Sequence, residues 1–173
     1  MAVERFTMVI NEDVQIVNFT VGDVDYGVPV EQVREVRDVQ AVTPIPGAPS
    51  YVDGVTNLRG QIITVMDLRK RLDLPKVEGG GEKIIVVELG KVAVGVVVDA
   101  VTEVSTIPGA DIERQMQVTK KLEGYLVGVG KQGEKLIVIL DLTKIISDIK
   151  EDLPEQGKPI TKKPTVAKAI PVT

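Results

Sequence analysis

The chain repeats itself. Tyr26-Gly27-Val28-Pro29-Val30-Glu31-Gln32-Val33-Arg34-Glu35-Val36 lies over Val94-Gly95-Val96-Val97-Val98-Asp99-Ala100-Val101-Thr102-Glu103-Val104, with a glycine, valines, an acid and a closing Glu-Val in register at a shift of 68 positions. Gly54 to Leu72 likewise resembles Gly124 to Ile146. Each begins at a glycine, reads as strand, turn and strand, and ends in Asp-Leu-x-Lys, at Asp67 to Lys70 and at Asp141 to Lys144, a shift of 74. Such a chain divides into two half-units of about 70 residues with roughly five short strands each. A unit that small closes most economically as an SH3- or OB-like barrel, which removes exposed sheet edges. Its own core is thin, so the two halves must pack together, and a groove between them is the default binding site.

The local signals agree with sheet. Valine (31) and isoleucine (16) outnumber leucine (11), and β-branched residues suit a pleated surface better than a helix. Val14 to Val21 reads as a strand, Gly22-Asp23 as a tight turn and Val24 to Val30 as the return strand. Strands are also expected at Gln61 to Met66, Lys83 to Leu89, Val92 to Val98, Tyr125 to Val129 and Lys135 to Leu140. Gly90-Lys91 and Lys131-Gln132-Gly133 read as hairpin turns. Asp67 is placed to cap a helix over Leu68 to Leu72. Asp141 is placed to cap one over Leu142 to Ile149, where Leu142, Ile145, Ile146 and Ile149 keep a helical period. Pro75 to Glu82, with three consecutive glycines, reads as a plain flexible linker; Glu82 and Lys83 lead into a strand, so it is no phosphate loop. The expected fold is all-β: two SH3-like five-stranded barrels in tandem with a short C-terminal helix.

What the chain lacks narrows its chemistry. It has no Cys and no His, which removes disulfides, thiolate and imidazole metal sites, Ser-His triads and a phosphorylated histidine. It has no Trp, and the aromatic set is Phe6, Phe19, Tyr26, Tyr51 and Tyr125, so stacking platforms for nucleic acid are few. The net charge of −4 also argues against nucleic acid. The longest apolar stretch, Val92 to Val98, falls far short of the ~20 residues of a spanning helix. No nucleophile adjoins a base, and no cofactor fingerprint is present. A binding protein without catalytic residues, metal or cofactor is expected, in the cytoplasm and not inserted in a membrane.

Asn57-Leu58-Arg59-Gly60 falls on a turn between strands, where Arg59 is either a solvated arginine or an interaction anchor. Glu35 and Glu103 are paired by the repeat rather than by acid–base chemistry. Lys70 and Lys144 read as solvated. Val28, Val30, Val33, Val36, Val98, Val101 and Val104 belong mostly to a core, with a minority left to line the groove. Apolar groove residues suit a partner's helix or strand.

Gly54-Val55-Thr56-Asn57-Leu58-Arg59-Gly60-Gln61-Ile62-Ile63-Thr64-Val65-Met66-Asp67-Leu68 resembles the signature of the CheW-like chemotaxis adaptors. Phe19 to Gly22 with Tyr26 to Val30, Glu35-Val36 followed by Thr43-Pro44-Ile45-Pro46, and Gly95-Val96-Val97-Val98-Asp99-Ala100-Val101 resemble three further segments of that family. The resemblance implies one domain over 13–150 made of two intertwined β-barrel halves; the Lys/Pro-rich tail, 151–173, lies outside it and by its own composition is expected to be disordered. It implies a scaffold that couples chemoreceptors to a CheA-type histidine kinase, at receptor arrays near the inner face of the membrane. The implied partners are the kinase's regulatory domain and the cytoplasmic tip of the receptor. The implied contact residues are Glu35, Val36, Asn57, Leu58, Arg59 and Gly60, with Val28, Val98, Asp99 and Val101 in or near the groove. A tandem-barrel protein binding a small ligand or nucleic acid is the alternative reading.

Overall fold

Four two-residue turns organise the chain. In the computed structural model, which describes residues 12–75 and 80–153, each turn closes an antiparallel hairpin. Gly22-Asp23 joins β1 (Val14–Val21) to β2 (Val24–Pro29), and Arg59-Gly60 joins β4 (Val52–Leu58) to β5 (Gln61–Asp67). Gly90-Lys91 joins β6 (Lys83–Leu89) to β7 (Val92–Val98), and Gly133-Glu134 joins β10 (Leu126–Gln132) to β11 (Lys135–Leu140). The last turn lies two residues beyond the expected Lys131-Gln132-Gly133, because β10 runs on to Gln132. Three single strands complete the set, β3 (Val33–Asp38), β8 (Ala100–Ile107) and the two-residue β9 (Ile112–Glu113). The helices are α1 (Leu68–Leu72) and α2 (Leu142–Ile149). Asp67 accepts from Arg69 N at 2.9 Å and Asp141 from Lys144 N at 3.1 Å, so both expected caps are present. The tail from 154 and linker residues 76–79 lie outside the described residues.

The strands form two sheets, ordered β8-β1-β2-β11-β10-β9 and β3-β6-β7-β5-β4. The repeat is visible in every register. Gly27 faces Ile139 across the parallel β2–β11 pair, and Gly95 faces Val65 across the parallel β5–β7 pair. The bulge that skips Arg34 in β3 matches the one that skips Thr102 in β8. The β9 strand has its counterpart in the single Thr43↔Val55 bridge. Asp67 N donates to Tyr51 O and Asp141 N to Tyr125 O, each at 2.8 Å, which aligns Gly54 with Gly128 rather than with Gly124.

The halves of the sequence are not the halves of the fold. The first sheet takes its β1–β2 hairpin from the first repeat and β8, β9, β10 and β11 from the second; the other sheet takes β6–β7 from the second repeat and β3, β4 and β5 from the first. Each barrel borrows one hairpin from the other repeat, and the chain crosses between barrels at β2–β3 and at β7–β8.

Alternation along the central strands divides the apolar residues among three cores. Ile84 and Val86 fill one barrel with Leu58, Ile63, Val65, Ala93 and Val97. Ile16, Ile107, Ile112, Ile137 and Ile139 fill the other. The alternate residues, among them Ile85, Val87, Val17, Phe19 and Leu140, meet in a core between the barrels together with the buried faces of both helices. This explains the unbroken run Ile84 to Val87, since a strand buried on both faces needs no polar alternation. Burial of each such side chain contributes roughly 1.5–3 kcal/mol. Gly27 and Gly95 keep the barrels narrow. A Cβ on Gly27 would lie 2.5 Å from Ile16 Cδ1, and one on Gly95 would lie 2.8 Å from Ile84 Cγ2.

Candidate functional site at the β3 edge and the Arg59 hairpin

β3 is an edge strand carrying four charges in six residues, Arg34, Glu35, Arg37 and Asp38. Charge of this kind keeps an edge from pairing with stray strands. Glu35 and Arg37 lie opposite Val86 and Ile84, so both point to the barrel side, whereas Val36 lies opposite Ile85 and points the other way. Adjacent in sequence, Glu35 and Val36 are thus on different faces. Val36 remains 38% exposed.

Arg59 joins Glu35 from across the barrel seam. β3 and β4 are the first and last strands of their sheet, and the β4–β5 tip brings Arg59 Nη2 to 3.3 Å from Glu35 Oε1. The Glu35 side chain is 14% exposed and also meets Arg34 Nε at 3.5 Å and Arg37 Nη1 at 3.4 Å. Arg34 reaches on to Glu88 at 3.0 Å and Gln61 at 3.4 Å. The hydrogen bond to Glu88 is the main cause that raises the Arg34 pKa above its ordinary value; burial opposes it and Glu35 adds to it. One carboxylate thus sits among three guanidinium groups, and Arg59 projects outward with its side chain 69% exposed.

The Arg59 backbone is the unusual part. Its φ is +54 and that of Gly60 is +83, the pattern of a type I′ turn. Asn57 Oδ1 holds the turn by accepting from Gly60 N at 2.9 Å. The other three hairpins put glycine first, at φ +67, +63 and +66 for Gly22, Gly90 and Gly133. An arginine in that left-handed region costs about 1–2 kcal/mol. Strain of this kind collects at functional sites.

The remaining expected contact residues fall elsewhere. Leu58 is 3% exposed and fills a barrel, Val28 is 0% exposed and Val98 1%, so none has a surface to offer a partner. The joint core occupies the place where a groove lined by Val28 and Val98 was expected. Val101, Val30 and Val33 are half-buried against it, while Val104 is 55% exposed rather than in a core. Glu103, the repeat-mate of Glu35, is exposed and forms no ion pair among the described residues. Lys70 pairs with Asp53 at 3.1 Å rather than standing solvated alone. Arg34, Arg37, Glu88 and Gln61 were missed; the one local signal was the charge density around Glu35-Val36.

Asp99 is committed within the fold. Its carboxylate accepts from Gly22 N at 2.6 Å and Gly81 N at 2.7 Å, and Arg69 Nη2 lies 2.6 Å from both of its oxygens. Burial pushes its pKa up, but these hydrogen bonds and the Arg69 charge outweigh it and hold the carboxyl below the ordinary carboxylate range. Gly80 packs so closely that a Cβ would lie 2.2 Å from Asp99 Oδ1. The end of the glycine segment is therefore a fitted cradle and not a plain linker.

Among the described residues no group of acids could hold a metal ion. No helix among them is long and apolar enough to cross a membrane. Residues 15–150 match the model of the CheW-like domain. The chain belongs to this family. It is 33% identical over 150 residues to the chemotaxis protein CheW of Treponema pallidum, covering 83% of this chain and 88% of that protein. Over 132 residues it is 35% identical to the CheW of Klebsiella aerogenes, covering 75% and 79%. The crystal structure of the scaffolding protein TtCheW from Thermoanaerobacter tengcongensis superposes with a TM-score of 0.68 at 37% identity, covering 75% of this chain and 84% of that one. The CheW-like fold of paired SH3-like barrels is the one seen in this chain.

Proposed function

We infer that this protein is a non-catalytic scaffold of chemotaxis signalling, which couples chemoreceptors to a CheA-type histidine kinase. The relatives are named as chemotaxis proteins, and the solved neighbour is a scaffolding protein. The observation that carries the partner reading is the exposed, strained Arg59 bound to the half-enclosed Glu35 across the barrel seam. A rigid cation at a hairpin tip, with its register set by a carboxylate, is what an interface anchor requires. The regulatory domain of the kinase docks on this tip, with Asn57 and Gly60 shaping it. Of the apolar contact residues expected from the sequence, Val36 and Val101 retain surface, and the receptor's helical tip takes these two. The site of action is the cytoplasm, at receptor arrays beside the membrane. The nucleic-acid alternative finds no support in a chain of net charge −4 with two phenylalanines, three tyrosines and no tryptophan.

Titration calorimetry against the regulatory domain of the same organism's kinase tests this reading. Micromolar or tighter binding is expected, weakened about tenfold or more by Arg59→Ala, as for an interface anchor. Binding that Arg59→Ala leaves untouched moves the tip out of that interface. No binding at all removes the kinase as a partner.

A further inference from the structure

The two crossovers of the hairpin exchange are held by different chemistry. At β2–β3, the Gln32 side chain accepts from Leu142 N at 2.9 Å and Thr143 N at 3.2 Å and donates to Asp141 at 3.0 Å. A neutral amide thus ties that crossover to the start of α2. At β7–β8, the tie is the Asp99 carboxylate. Its three partners come from separate parts of the chain: Gly22 from the tip of the borrowed β1–β2 hairpin, Gly81 from the glycine segment before β6, and Arg69 from α1. Asp99 N also donates to Thr20 O at 2.9 Å. The Asp99 and Arg69 side chains are only 13% and 10% exposed, and Arg69 Nε is buried without a partner.

We propose that this crossover is an anion lock. Gly22 N–H, Gly81 N–H and the Arg69 guanidinium form a preorganised carboxylate receptor that Asp99 occupies; vacating it frees the β1–β2 tip and Gly80-Gly81 together, while the Gln32 tie persists. Among the described residues Asp99 is the acceptor shown for all three donors, so its departure leaves them without that partner. Arg69 is then a buried charge without compensation, which costs several times an ordinary hydrogen bond. The pocket that remains has the size and charge to draw in a small external carboxylate such as formate. The charged group facing Asp99 is Arg69; the β1–β2 turn and the glycine segment face it with amides. Because the folded carboxyl is held below the ordinary range, the lock is complete above the pKa of an unfolded aspartate. It opens as pH falls through the lower folded value. At the other crossover Asp141 is the one carboxylate that Gln32 meets; the bonds that Gln32 accepts from Leu142 N and Thr143 N involve no titrating group and persist, so acid loosens the Asp99 crossover first.

Residue-resolved amide exchange on the full chain tests the lock. In Asp99→Ala, exchange at Gly22, Asp23 and Gly81 should quicken by about tenfold to a hundredfold, the worth of charge-assisted hydrogen bonds, with β10 and β11 unchanged. Sodium formate should restore protection where sodium chloride at the same ionic strength does not, and formate should have no effect on Gln32→Ala. Exchange that rises uniformly, or formate acting no better than chloride, overturns the proposal. Should Asp99→Ala fail to fold, acidification of the unsubstituted protein decides. With intrinsic rates corrected, the same amides should lose protection before β10 and β11; simultaneous loss overturns the lock.

Discussion

The β4–β5 and β10–β11 hairpins are repeat-mates that differ by one residue in strand length, in β5 against β11, and share the parallel contact to a borrowed strand and a matching bulge. They differ at the tip. The first reads Leu58-Arg59-Gly60-Gln61, with the leucine inside the barrel and the arginine strained and exposed. The second reads Gln132-Gly133-Glu134-Lys135, with glycine where the left-handed residue is needed and a half-exposed glutamine in place of the leucine. One fold thus builds a relaxed connector at one tip and, at the other, a rigid tip with a buried foot and a projecting cation. Repeat symmetry supplies the architecture, and departures from it mark the candidate site.

The largest expected effect tests how far the two hairpins are equivalent at their bases. A Cβ on Gly54 would lie 2.0 Å from the Thr43 carbonyl oxygen, at φ +144. On Gly128 it would lie 2.6 Å from a side-chain methyl of Ile112 and 3.0 Å from the Glu113 carbonyl oxygen. Backbone cannot yield as a side chain can, so Gly54→Ala should lose about 3 kcal/mol or more in denaturant unfolding and Gly128→Ala clearly less. Equal losses would erase that difference.

Next in size is the foot of the tip. Leu58→Ala should cost about 2–4 kcal/mol by the same measurement, whereas Gln132→Ala should stay within about 0.5 kcal/mol. A small effect of Leu58→Ala would mean that the barrel closes without it.

The smallest effect concerns strain. Arg59→Gly relieves about 1 kcal/mol of left-handed strain and gives up an exposed ion pair worth about 0.5 kcal/mol. The melting temperature should therefore hold or rise slightly while binding to the proposed kinase partner falls, and Gly133→Arg should lower it. A clear fall in melting temperature with Arg59→Gly would make the arginine structural instead.

Much of this was legible locally. The Gly22 and Gly90 turns, the capping aspartates and the strands they bound follow from signals within a few residues. β3 and β8 were harder, because Val33 to Asp38 and Ala100 to Ile107 are edge strands with neither strict alternation nor a solid apolar run. At the site, the sequence pointed to Glu35 and Arg59 but also to Leu58, Val28 and Val98. A buried valine and a groove valine look the same until the opposing layer is known. Nothing about Arg59 advertises a left-handed backbone; that conformation follows from a two-residue turn whose length is imposed by the Leu58↔Gln61 pairing.

By itself the sequence determined the repeat, the all-β class, most of the hairpins and the absence of His and Cys chemistry, since composition and short-range period decide these. Only the tertiary structure decided which hairpin enters which barrel. Both repeats carry the same apolar pattern, so a hairpin kept and a hairpin exchanged satisfy local preference equally. The choice rests on contacts far apart in the chain: the joint core between the barrels, Gln32 on the start of α2, and Asp99 among Gly22, Arg69 and Gly81. No window of sequence contains those partners together.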